Sequence, residues 1–256
     1  MRNERCIRIY KYRSLSGQHG RDAIERLVTH SELYWQSPIQ FNDPFDCIPV
    51  LYFGENNAER KAFRARATDQ LYGGEPRTLR RQHRRRMGVV PTAQMEDHLR
   101  TAWQYWLSES AVTCFSEVHD HPLMWGHYAD SHKGVCLIFN EIANDHTQWF
   151  AFPVTYQEAR PRVNLTRFSD PDVMMKSLFL KSHHWAYERE QRMVAWRGTP
   201  GYRSFPARLL QGIIFGAKIS IDDEQFVRGV LARRPDMQVF RAEIDSAAFK
   251  MNIVPA

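Results

Sequence analysis

NAERKAFRARATDQLYGGEPRTLRRQHRRRMGVVPTAQMEDHLRTAWQYWL, residues 57–107, decides how the chain is organised. Arg, Gln, Glu and Ala dominate it, Gly73, Gly74 and Pro76 interrupt it, and Pro91 restarts a helix that ends near Trp106. Segments rich in β-branched and aromatic residues flank it on both sides. Upstream, CIRIYKY at 6–12 alternates apolar and polar residues as a half-buried strand does. Ala23, Ile24, Leu27 and Val28 follow at helical spacing, and ELYWQ at 32–36 reads as a second strand. Downstream, AVTCFS (111–116), GVCLIF (134–139), 151–156, QRMVAW (191–196), 212–215, 237–242 and 249–254 read as strands. Helices are expected after Pro122, over 170–181 and over 222–232. Strands at both ends of a helical middle predict a single α+β domain over 1–256, with a helical insertion at 57–108.

Hydrophobic residues make up 43% of the chain and charged residues 25%, a balance that excludes both disorder and membrane spanning. Cys6, Cys47, Cys114 and Cys136 stand alone in apolar surroundings with no C-x-x-C spacing, which predicts buried thiols in a reducing cytoplasm. No apolar leader and no run of about 18 apolar residues occurs, so a cytoplasmic location and no membrane partner are expected. The net charge is +6, and the run from Arg77 to Arg86 holds six Arg and no acid, so one segment equals the whole excess. Arg77, Arg80, Arg81, Arg84 and Arg85 recur at three- and four-residue steps, which would gather them on one helix face. The default reading of such a run is a solvated face.

Phosphate-binding glycine loops, H-E-x-x-H and G-x-S-x-G are all missing, and with them most nucleotide, protease and hydrolase signatures. Three segments remain. FNDPFD at 41–46 reads first as a turn built by Asn42, Asp43 and Asp46 around Pro44, with two Phe rings burying the loop, and a buried Asp there would need partners. In MWGHYADSH, Trp125, Tyr128 and His132 share a helix face, and the plain reading is an aromatic core face. His127 and His132, five apart, diverge and lack a third ligand, so no metal is expected. In KSHHWAYEREQRMVAW at 181–196, Glu188 and Glu190 lie two apart where a strand begins, so extended geometry points both carboxylates to one side, with Arg192 beside them. Two like charges side by side repel unless a cation or ligand compensates. The pattern is either a surface Glu–Arg ladder or a carboxylate pair that steadies an oxocarbenium-like sugar.

IYKYRS at 9–14, FNDPFD, CFS at 114–116, MWGHYADSHKGVCLIF at 124–139 and KSHHWAYEREQR at 181–192, in this order, resemble the bacterial domain family numbered 2971 among the domains of unknown function. That family is remotely similar to the ADP-ribosyltransferase superfamily. The resemblance implies two small packed, mostly antiparallel sheets with a cleft for NAD, used as a substrate. It implies a first-strand position at Lys11, Tyr12 or Arg13, a second at Ser116 or Tyr128, and a third at Glu190 or Glu188. Asn42 and His127 fall within the matching motifs as further NAD contacts. The activity implied is mono-ADP-ribosyl transfer to a macromolecule, nucleic acid or protein, in a toxin or phage-defence setting, and it would make Arg80, Arg81, Arg84 and Arg85 an acceptor-recognition surface. The alternative is a non-catalytic nucleic-acid-binding or interaction module with a degenerate cleft. A metal-dependent nuclease using Asp43, Asp46 and the histidines is a third reading, for which no compact ligand motif exists.

Overall fold

Successive residues of a strand face opposite sides of its sheet, so a strand covered on both faces reads as a continuous apolar run. GVCLIF is such a run, and it lies at the centre of the protein. The computed structural model describes residues 8–140, 149–168, 170–195 and 198–256. In chain order the strands are β1 (Arg8–Arg13), β2 (Glu32–Trp35), β3 (Val50–Tyr52), β4 (Ala111–Ser116), β5 (Val135–Asn140), β6 (Phe152–Pro153), β7 (Thr155–Gln157), β8 (Arg162–Asn164), β9 (Leu180–Ser182), β10 (Glu190–Ala195), β11 (Gly201–Ser204), β12 (Leu210–Phe215), β13 (Gln238–Ile244) and β14 (Met251–Pro255). The α-helices are α1 (Gly17–Glu25), α2 (Asn57–Tyr72), α3 (Arg77–Val89), α4 (Thr92–Ser108), α5 (Pro122–Tyr128), α6 (Pro171–Ser177) and α7 (Ile221–Leu231).

Eight strands form one sheet in the order β14-β13-β12-β5-β1-β4-β10-β6, and β2–β11, β3–β8 and β7–β9 form three small pairs. Among the described residues of the large sheet only β12 and β13 run parallel. Val135, Leu137 and Phe139 of β5 join Ile213 and Phe215 of β12 in a core closed by Ile24 of α1, Leu27 and Val28 just beyond it, and Val227 of α7. Cys136, Ile138 and Ile214 point the other way, into a second core with Tyr10, Tyr12 and the α5 residues Met124 and Trp125. A third core joins Trp103 and Leu107 of α4 to Leu51, Leu165, Met174 and Leu178.

The sheet is nearly divided. β1 pairs with β5 at six positions and β4 with β10 at six, whereas β1 and β4 meet in one pair, Tyr10↔Ser116. Beyond it the Lys11 ammonium bridges the strands, donating to Thr113 Oγ1 at 2.9 Å and to the Cys114 carbonyl at 2.6 Å. In place of two separate small sheets, the described residues therefore form a five-strand part and a three-strand part hinged on one residue pair.

The helical insertion over 57–108 is present as α2, α3 and α4. Its last helix is a core element, because Trp103 and Leu107 are fully buried, while α3 buries no residue. The expected strand over 151–156 is broken at Val154, whose amide donates to the Glu190 carbonyl, so that β6 joins β10 and β7 joins β9. The helix expected over 170–181 stops at Ser177, and Leu180–Ser182 continues as a strand. The opening residues of the expected first strand, with Cys6, and Trp196 of QRMVAW lie outside the described residues.

Gly134 sets the turn from α5 into β5. A Cβ there would lie 2.1 Å from the Arg13 carbonyl oxygen, a contact that neither backbone can relieve without shifting. Gly134→Ala is expected to destabilise the fold by about 1–3 kcal/mol, as overpacking does. Urea denaturation followed by tryptophan fluorescence measures it, and an unchanged midpoint would contradict the close approach.

Candidate active site

Where β1 and β4 part, a cavity of about 200 Å³ opens. Tyr10, Lys11, Tyr12 and Arg13 line it from β1, and residues 112–116 line it from β4. Asn42, Asp46, Tyr128, Lys181, Glu188 and Glu190 close it. Lys11 and Arg13 share the face of β1 that carries Ile9, while Tyr10 and Tyr12 share the other, so both faces of the sheet contribute.

Five buried charges form the floor. The Arg192 guanidinium, 0% exposed, donates to both oxygens of Asp46 at 2.7 and 2.9 Å and to both oxygens of Glu190 at 2.7 and 3.0 Å. Its third nitrogen donates to the Leu178 carbonyl at 2.7 Å, and the Phe41 ring covers its face at 5.2 Å. Lys181 reaches Glu188 at 2.5 Å, Glu190 at 2.9 Å and Asp46 at 3.6 Å. Three carboxylates against two cations leave one negative charge in excess. The Tyr128 hydroxyl donates to Glu188 at 2.6 Å, and the Glu190 amide donates to the Tyr156 hydroxyl at 2.8 Å.

The two glutamates meet by a different route from the extended E-x-E that their spacing predicts. Glu188 ends a 3-10 helix over His183–Glu188, and Arg189 turns the chain in the left-handed region, φ 44°. The kink brings Glu188 and Glu190 onto the same ammonium and swings Arg189 out to Glu117. Neither glutamate belongs to a surface ladder, because both are buried.

Their titration differs. Burial would push Glu190 up, but Arg192 and then Lys181 outweigh it and hold its carboxyl at about 2. For Glu188, burial prevails over the pull of Lys181 and raises it. Burial likewise pushes the Lys11 ammonium well below its ordinary range and lowers Arg13. A fixed anion beside a carboxyl of raised pKa is the division of labour that acid–base sites use.

Of the first-strand residues, Lys11 is committed to β4, and the Tyr12 hydroxyl donates to the Val118 carbonyl with its ring edge-on to Trp125. Arg13 is less engaged, with its Nε buried and unpartnered. Ser116 Oγ donates to the Glu188 carbonyl at 2.6 Å, which ties the strand pair to the kink. His127 does not line the cavity. It is exposed, with its ring 5.9 Å from that of Trp185. In FNDPFD, Asn42 lines the cavity and Asp43 makes the turn by accepting from the Phe45 amide at 2.9 Å. Phe45 is 58% exposed rather than burying the loop, because the burial is done by Asp46 entering the ion cluster. Lys181 was not singled out by motif reading, and Asp46 was read first as a turn residue. Their signal was electrostatic: a buried carboxylate pair demands cations and more than one partner.

No residue of 57–108 lines the cavity, so Arg80, Arg81, Arg84 and Arg85 lie apart from it. Among the described residues no group of three or more His, Cys, Asp or Glu side chains is arranged to hold a metal ion, and no helix is long and apolar enough to cross a membrane.

The model of a family described as a protein of unknown function (DUF2971) matches residues 124–193, the segment that carries Tyr128, Lys181, Glu188, Glu190 and Arg192. No curated protein and no solved structure matches the chain.

Arg192→Leu removes one partner from Asp46 and Glu190 and leaves buried anions, so a loss of about 3–5 kcal/mol is expected in chemical denaturation. A loss below about 1 kcal/mol would mean that water reaches the cluster. Glu190 has its pKa lowered by folding, so its stabilisation is complete above about 4.5 and is lost as pH falls toward about 2. Midpoints measured across that window should fall more steeply for the native protein than for Glu190→Gln.

Proposed function

We propose that the chain is an NAD-dependent enzyme that cleaves the bond between nicotinamide and ribose and transfers ADP-ribose to a macromolecular acceptor. One observation carries the reading. The first-strand residues, Ser116, Tyr128 and both glutamates, spread from position 10 to position 190 of the sequence, line a single cavity.

A volume of about 200 Å³ lies below the usual range of about 300–1,000 Å³ for whole-ligand sites, so it suits one nucleoside end of a dinucleotide. The nicotinamide riboside end would enter, with the phosphates left near Arg13, whose buried Nε lacks a partner. The Tyr128 ring is available to the nicotinamide face. As the C–N bond breaks, its electron pair leaves with neutral nicotinamide and positive charge develops on the ribose. The excess negative charge of the cluster, with Glu190 ionised at any working pH, is suited to stabilise that cation. The acceptor then bonds to the anomeric carbon and gives its proton to Glu188, whose raised pKa makes it the better base.

A second reading has its own observation. Both oxygens of Glu190 already accept from Arg192, and one of them also accepts from Lys181, which is what a purely structural ion cluster in a non-catalytic binding module would show. Incubation with NAD separates the two. Released nicotinamide and an added ADP-ribose mass on an acceptor are expected, with Glu190→Gln at least about 10²-fold slower. Because Glu190→Gln also weakens the fold, Tyr128→Phe serves as the companion variant, with folding checked by circular dichroism. It keeps the ring and removes the hydroxyl that positions Glu188, so it should slow transfer more than nicotinamide release. Transfer should rise with pH through a midpoint above the ordinary glutamate value, and Tyr128→Phe should shift that midpoint. No nicotinamide release from the folded native protein would leave the binding-module reading.

A further inference from the structure

Residues 57–108 hold eleven Lys and Arg against five Asp and Glu, an excess of six that equals the net charge of the whole chain, so the remainder is balanced. Half of that insertion packs: α4 enters a core and α2 touches α3. α3 contributes no buried residue and has no acid in its sequence.

The structure divides the arginines of α3 in a way that their spacing does not. Arg84 turns to α2 and pairs with Asp69 at 2.6 Å. On the same side His83 stacks on Tyr72 at 3.8 Å, and Arg64 of α2 donates to the carbonyls of Met87 and Gly88. Arg80, on that flank, is half-buried. Arg77, Arg81, Arg85 and Arg86 are exposed, and none has a hydrogen-bond or ion-pair partner among the described residues. The first three stand four residues apart, in steps of about 6 Å along the helix.

We infer that the solvent side of α3, with Arg77, Arg81 and Arg85 in one stripe and Arg86 about 100° round the helix from Arg85, docks the phosphate backbone of a nucleic acid. Four unpaired guanidiniums on a helix with no acid form a phosphate-binding array, since each offers a fork of donors matched to phosphate oxygens. An anionic membrane fits less well. Helices that lie on lipid bury an apolar face, whereas the large apolar residues exposed on α3 are Leu79 and Val89, near opposite ends, and the helix has no aromatic residue. This inference deepens the proposed function by naming its acceptor class, and it rests on that reading for the acceptor role alone. Docking itself requires no NAD chemistry.

The test is fluorescence anisotropy of labelled RNA and DNA oligonucleotides of about 20 nucleotides, single-stranded and duplex, titrated with the full chain without NAD from about 50 to 200 mM salt. Binding is expected, with log K falling linearly with log salt. The triple variant Arg81→Glu, Arg85→Glu, Arg86→Glu should lower the magnitude of that slope by about 2–3 and weaken every sequence alike. Arg233→Gln, a surface control, should not change it. Its exposed position makes the triple variant tolerable to the fold, which circular dichroism checks. No oligonucleotide binding by the native chain, or an unchanged slope in the folded triple variant, would overturn the inference. So would stronger retention on vesicles of phosphatidylserine and phosphatidylcholine than on oligonucleotides through the same arginines. Nicotinamide release from NAD alone is measured in parallel and is expected to be equal in native and triple-variant chains. Its absence from both removes the enzymatic reading and leaves the docking result standing.

Discussion

Arg192 has no contact with solvent, and its guanidinium spans Asp46 from an N-terminal loop, Glu190 from its own strand and the Leu178 carbonyl from the end of a helical turn. A buried cation left unpaired costs several kcal/mol, so those three segments can come together in few ways. Lys181 then becomes obligatory, because two carboxylates and one guanidinium leave Glu188 without a counter-charge. The positions of β9, the 3-10 turn and the Arg189 kink follow from bringing that ammonium within reach of Glu188 and Glu190. The apolar cores would tolerate other arrangements of similar volume, and the ion cluster would not.

The same requirement explains the division in the sheet. β4 and β10 run as a full ladder, and the face that carries Val112 and Val194 at one end carries Cys114, Ser116, Glu190 and Arg192 along the rest. β1 carries Tyr10 and Tyr12 into an apolar core on that side. A charged half-sheet and an apolar half-sheet cannot share one continuous covering layer, so α5 covers one and the loop at 41–46 with the α4 core covers the other. The gap between the two layers lies over the β1–β4 junction, where one residue pair and the Lys11 ammonium maintain the connection. The cavity is therefore the seam between two packing regimes, and its chemistry is mixed for that reason.

Much of this was legible before folding was considered. The strands β1, β2, β4, β5, β10, β12 and β13, the helices α5 and α7, and the helical insertion follow from periodicity, Pro starts and the change of composition at residue 57. Glu188 and Glu190 stood out because adjacent carboxylates demand compensation, and the structure supplies it. Failures cluster where the partner is distant. Asp46 looked like a turn residue because Asn and Asp near Pro usually are, and Asp43, three positions earlier, does make that turn. Lys181 sits in the three-residue strand Leu180–Ser182, whose pairing with β7 no local pattern reveals. His127, read as part of a motif, is turned away by the helix on which it rides.

Sequence by itself determined most of the longer elements, the location of the excess positive charge and the presence of a carboxylate pair needing cations, since each depends on residues within a few positions of one another. Only the tertiary structure decided which cations serve, that Arg192 is a buried keystone while Arg189 is a surface residue, and that β1 and β4 part to leave a cavity. Those outcomes depend on packing, with contacts that span from 2 positions, Glu190 with Arg192, to 146, Asp46 with Arg192, and their energies come from desolvation. A charge is costly or cheap according to what encloses it, and enclosure is a property of the packed chain.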